Sequence, residues 1–181
     1  MPEPLLVVDV QRCFINDYTR HIPAKVAKLA ASNAYGPLIF TRFVNTPDSP
    51  FRRLLDWHEC ESEPGTLLVD EIAGAAERGM VFVKLGHVGV SDELRDYLRG
   101  LAIQHITIVG IDTDMCVLKT AMDVFDLGIV PIVLSDCCAS TAGLQAHLAG
   151  LAILSRNIGP HQLRPSGLGG SEIAAPEIPS R

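Results

Sequence analysis

Short apolar runs alternate along the chain with longer amphipathic stretches. Residues 5–10 read Leu-Leu-Val-Val-Asp-Val, a nearly unbroken apolar run. Such a run predicts a strand buried on both faces, as in a parallel sheet. Similar runs at residues 38–43, 80–83, 106–109 and 129–134 predict four more strands, and residues 158–163 a short last one. Residues 23–34 are Ala- and Lys-rich, with Ile22 just before them and Val26, Leu29 and Ala30 within them at helical spacing, and Pro23 suited to a first turn. Further helices are predicted over residues 67–76, 91–99, 114–127 and 144–155. Ser91 or Asp92 caps the second of these, and the third places Val117, Leu118, Ala121, Met122 and Phe125 on one face before Gly128. Gly36-Pro37 predicts a break, and residues 45–65 a long connection.

Strands alternating with helices predict an α/β protein: a three-layer α/β/α Rossmann-like fold with a mainly parallel sheet of five to six strands. One domain is expected over residues 1–164, followed by a Gly-, Ser- and Pro-rich tail over 165–181. In such folds ligands sit beyond the carboxyl ends of the strands. Asp9, Lys84 and the turn over residues 110–116 all fall at those ends.

Composition narrows the function classes. The 181 residues suffice for one domain with its own core. A net charge of −6 argues against nucleic-acid binding, which needs a basic face. No apolar run approaches the ~20 residues that span a bilayer, so no membrane partner is expected. The five cysteines, odd in number and without repeated spacing, are expected to be reduced thiols in a cytoplasmic protein. The first strand is not followed by Gly-x-Gly-x-x-Gly, and there is no Cys-x-x-Cys, which argues against a dinucleotide-binding domain and a thiol redox enzyme.

Three residues make a coherent chemistry. Cys116 falls in the first turn of a predicted helix, where the dipole and free N–H groups favour thiolate; the plainer alternative is an inert buried cysteine. Lys84 ends an apolar strand, and is either an active-site ammonium or a side chain reaching out to solvent. Asp9 ends the first strand among apolar neighbours, where the plainer role is a loop cap. Together they supply a nucleophile, a carboxylate to take and return its proton, and a cation beside both. Backbone N–H groups of the turn can hold an oxyanion.

At these residues the chain resembles the isochorismatase-like cysteine hydrolases. The similarity runs through Val7-Val8-Asp9-Val10-Gln11-Arg12-Cys13-Phe14, Val83-Lys84-Leu85-Gly86-His87, Gly110-Ile111-Asp112-Thr113-Asp114-Met115-Cys116-Val117, Thr120-Ala121-Met122-Asp123 and Ser135-Asp136-Cys137-Cys138-Ala139-Ser140, covering about residues 4–163. The resemblance implies Asp9, Lys84 and Cys116 as a catalytic triad. It also implies a cis peptide before Asp112 and an oxyanion hole from the N–H groups of Asp112 and Cys116. Phe14 resembles a pocket-wall aromatic, and His87 is a second candidate for substrate binding. Nicotinamidases of the family carry Asp-x-His after the second strand as metal ligands; here that place reads Thr41-Arg42-Phe43-Val44-Asn45. Asp56-Trp57-His58 follows too late, so neither metal nor other cofactor is expected. The family's isochorismatases lack the cysteine, so Cys116 argues against that reaction.

The reading is therefore a cysteine-dependent hydrolase that cleaves an amide, carbamoyl or imide C–N bond of a small molecule, with family analogy pointing to a homo-oligomer. A non-catalytic binding or scaffold protein is the alternative. Arg42 and Arg52 are candidates for an acidic substrate group, Cys13 is taken as incidental, His147 as a packing residue, and Asp136 as a tie between loops.

Overall fold

The computed structural model describes residues 2–168. Six strands form one sheet: β1 (Glu3–Val8), β2 (Tyr35–Phe43), β3 (Met80–Lys84), β4 (His105–Ile111), β5 (Val130–Ala139) and β6 (Leu163–Arg164). Their order is β3-β2-β1-β4-β5-β6, and every ladder is parallel. The helices are α1 (Ile22–Ala30), α2 (Pro50–Leu55), α3 (Asp70–Ala76), α4 (Asp92–Leu101), α5 (Leu118–Asp126) and α6 (Leu144–Ile158). Among the described residues no helix is long and apolar enough to cross a membrane.

The continuous apolar strands are explained by cores on both sheet faces. Successive side chains of a strand point to opposite faces. Leu5 and Val7 accordingly join Phe40, Val109 and Ile111 under α1 and α3. Leu6 and Val8 join Ile39, Ile106 and Ile108 under α4, α5 and α6. The three-layer expectation holds, and the strand order reverses between β1 and β4, the crevice at which open α/β sheets bind ligands.

Several boundaries differ from the sequence reading. β1 stops at Val8, because Asp9 turns into the left-handed region with φ 50°. β2 runs through Gly36-Pro37 instead of breaking there, with a register shift opposite Glu3 and Leu5 absorbing the irregularity. β5 continues to Ala139, so Asp136 lies within it. The expected helix start at 114 is a π-helical turn, Thr113–Val117, ahead of α5. The expected tail begins tied down. Ser166 donates from its N and Oγ to Asp136 at 2.7 and 2.6 Å, confirming Asp136 as a tie between segments. Residues 169–181 of that tail lie outside the described residues.

The five-thiol expectation is also corrected. Cys13 and Cys60 form a disulfide, leaving Cys116, Cys137 and Cys138 free. Forty-seven positions separate the pair, and only the return of the 45–60 connection over the end of β1 brings them together.

Candidate active site

The site is assembled at the carboxyl edge of the three strands β3, β1 and β4. Asp9 immediately follows β1 and is wholly inaccessible to solvent. Its Oδ1 accepts a 2.7 Å hydrogen bond from Thr41 Oγ1 of the neighbouring β2, which also accepts from Asp9 N at 3.2 Å. Its Oδ2 faces Lys84 Nζ at 2.7 Å. Lys84 ends β3, two strands away, and crosses beneath the end of β2 to reach the carboxylate. It is 3% exposed, so it is not a strand-end lysine reaching out to water. Burial works against its charge, yet the attraction of Asp9 and then of Cys116 holds its pKa above the ordinary value.

The charges of Asp9 and Lys84 both act on the Cys116 thiol, in opposite directions. Burial, followed by the charge of Asp9, pushes its pKa up to about 12, while Lys84 pulls the other way. This corrects the expected thiolate. The π-helical turn replaces the first α-helical turn on which that expectation rested, and desolvation outweighs the nearby cation.

Two glycines allow this turn to sit where it does. Gly110 has φ 134°, and a Cβ there would lie 2.0 Å from the Val8 carbonyl oxygen. Gly150 lets α6 approach closely, since its Cβ would fall 2.8 Å from Asp114 Cα. The Ile111–Asp112 peptide is cis, as the resemblance implies. The Asp112 carbonyl accepts from Met115 N at 3.2 Å and Val117 N at 2.9 Å, passing over the Cys116 N–H between them. The Asp112 side chain caps nothing in the turn. Its carboxylate instead accepts from Thr141 N and from Thr141 Oγ1, the latter at 2.9 Å. Burial raises its pKa to about 6 against those two bonds. Thr113 Oγ1 meets His147 Nδ1 of α6 at 2.7 Å, so the packing histidine also anchors the turn.

Cys116 opens into a cavity of about 420 Å³. Phe14 lines it as expected, joined by Phe43, Phe51 and Trp57, by Met115, and by the polar Asn16, Glu59 and Thr141. His87 is not among the lining residues; it is exposed, with its ring centroid 4.7 Å from that of Phe51, which lines the cavity. Cys13 is not incidental, because it contributes to the wall and is covalently joined to the segment bearing Trp57. The residues that sequence reasoning missed come mainly from the 43–60 connection. Their one signal was density: of six phenylalanines and one tryptophan, Phe43, Phe51 and Trp57 fall within fifteen positions.

Neither arginine proposed for an acidic substrate lines the cavity. Arg52 Nε pairs with Glu61 at 3.0 Å, and Arg42 is half-buried on β2. The late Asp56-Trp57-His58 does not fit a metal centre. Both ring nitrogens of His58 are engaged at 3.0 Å, by Asp56 and Glu61, and neither Asp56 nor His58 lines the cavity. Asn45, in the expected ligand region, spends its amide bracing the Trp57 and Glu59 carbonyls. Among the described residues no group of three His, Cys, Asp or Glu side chains is placed to hold a metal ion.

Comparisons with known proteins bear on the family and the fold. A family model described as the isochorismatase domain matches residues 3–161. The fold is similar to an isochorismatase-like hydrolase from Alkaliphilus metalliredigens, with TM-score 0.77 and 21% identity, covering 91% of this chain and 95% of that one. It is similar to a nicotinamidase from Bacillus subtilis, with TM-score 0.75, 20% identity and coverage of 91% and 99%. An N-carbamoylsarcosine amidase from Thermoplasma acidophilum gives TM-score 0.69, 24% identity and coverage of 92% and 98%. No curated protein sequence matches.

Proposed function

The chain belongs to the isochorismatase family of hydrolases, and from that premise we propose that it cleaves a C–N bond of a small amide, carbamoyl or imide compound through Cys116. The observation that carries this reading is the single thiol that opens into the cavity, under the opposing charges of a buried carboxylate–ammonium pair closed at 2.7 Å. Removing two charges from water is costly, and a structural role is met as well by apolar side chains. A non-catalytic scaffold has no use for such a pair beneath a cavity.

The mechanism follows from the assignment of atoms. Asp9 Oδ1 is occupied by Thr41, so Oδ2 is the oxygen that takes the Cys116 proton. The sulfur attacks the substrate carbonyl carbon as that proton leaves. Lys84 lowers the energy of the developing thiolate. The N–H groups of Asp112 and Cys116 receive the oxyanion; the bypassed Cys116 N–H supports this role. Asp9 then delivers its proton to the leaving nitrogen, and the C–N bond breaks to give a thioester. Water, deprotonated by Asp9, attacks the thioester; the acid leaves and the Cys116 thiol is restored.

Ammonia release from a panel of primary amides, carbamoyl compounds and imides tests the proposal. At least one class should be turned over by the unaltered protein and not by Cys116→Ala. Equal turnover by the two proteins would refute a cysteine mechanism.

A further inference from the structure

The cavity is charged in one sense only. Glu59 and Asp112 are the acidic residues of its lining, the Asp112 carboxylate being held by Thr141, and no Lys, Arg or His among the described residues lines it; the His87 ring centroid lies 4.7 Å from that of Phe51. Beneath the floor, Asp9 and Lys84 cancel each other. Arg52, the nearest arginine in the same connection, is turned to Glu61. Glu61 is thereby held by Arg52 and His58, whereas the Glu59 carboxylate has no ion-pair or hydrogen-bond partner among the described residues.

The apolar part of the lining adds to this field. Trp57 belongs to an aromatic cluster, with ring centroids 6.3 Å from Phe14, 6.0 Å from Phe43 and 5.4 Å from Phe51. The faces of aromatic rings are negative, and a cation held over them is attracted without any formal counter-charge. An anionic substrate would meet the Glu59 carboxylate and an aromatic wall, with no cationic side chain among the lining residues. A neutral substrate would be tolerated. A cationic one would gain both the rings and the free carboxylate.

Resting on the hydrolase reading above, we propose that the substrate is a small amide whose acyl portion carries a quaternary or protonated amine, seated between the aromatic wall and Glu59. Glu59 then sets specificity by charge, without touching the reacting carbonyl. The reactive end of such a molecule points to Cys116 and the amine end to the 43–60 connection.

The test separates binding from turnover. Trp57 is the single tryptophan of the chain, so its fluorescence reports occupancy of the cavity. In the Cys116→Ala protein, three probes of matched shape are titrated: trimethylammonioacetamide, its neutral isostere 3,3-dimethylbutanamide, and the anionic sulfoacetamide. The cationic probe should bind on the order of tenfold more tightly than the neutral one, with the anionic probe weakest. Adding Glu59→Gln should shrink the cation-to-neutral ratio severalfold. Equal or tighter binding of the neutral probe, no response to the cationic probe, or a ratio unmoved by Glu59→Gln would each overturn the proposal. Because these readings need no turnover, lack of ammonia release from the unaltered protein would count against the hydrolase reading alone.

Discussion

Asp9 and Lys84 act on the Cys116 thiol in opposite directions, and their variants should differ in sign. The carboxylate raises the Cys116 pKa and the ammonium lowers it. Asp9→Asn should therefore speed iodoacetamide labelling of Cys116 near neutral pH, although it abolishes proton transfer and turnover. Lys84→Met should slow labelling and move its onset to higher pH. A labelling profile identical in Lys84→Met and the unaltered protein would show that the ammonium does not act on the thiol. Lys84→Met also strands a buried carboxylate, which should lower stability by about 3–5 kcal/mol. The double variant Asp9→Asn with Lys84→Met should recover part of that loss, as read by urea unfolding. At Gly110 the constraint is steric. Gly110→Ala places a methyl group against the Val8 carbonyl at a φ that suits glycine, and the melting temperature should fall by roughly 10 °C.

The short elements that bear the site show where sequence reasoning reaches and where it stops. Asp9, Lys84 and Cys116 were legible because they end apolar runs or open a helix, and the parallel sheet then brings those ends together. The π-helical turn at Thr113–Val117 was not legible. Its sequence suits an α-helix equally well, and the turn is set by close packing against Gly150 and the Thr113–His147 contact. Burial, equally hidden from local pattern, reversed the expected shift of the Cys116 thiol. Of the aromatic wall, Phe14 was expected, whereas Phe43, Phe51 and Trp57 were missed because they come from β2, α2 and an irregular connection, which share no period. Asp112 gives this layer a pH signature. Its folded pKa of about 6 exceeds the ordinary 3.8, so between those values the folded protein keeps a proton that the unfolded chain has lost. Stability should fall as pH rises from about 4 to about 6, by at most about 3 kcal/mol, and level off above. Melting temperatures across that range should show the decline, and Asp112→Asn should flatten it. A slope unchanged by the substitution would assign it to other groups.

Across the whole molecule, Asp9, Lys84 and Cys116 lie at or just beyond the carboxyl ends of the strands, while the connection between β2 and α3 brings Phe51, Leu55, Trp57 and Glu59 to the cavity wall. These two parts of the chain are joined at Cys13–Cys60. That link has a topological consequence. Arg53 is exposed near the end of α2, a suitable point for trypsin to cut. A cut after it divides the chain into residues 1–53 and 54–181, and Cys13 then belongs to one piece and Cys60 to the other. The nicked protein should migrate as a single species without reductant and as two once a reductant is added. Separation without reductant would mean that the two thiols are not joined. With the link in place, one peptide bond can be lost beside the cavity while every atom of its wall stays covalently attached to the catalytic body.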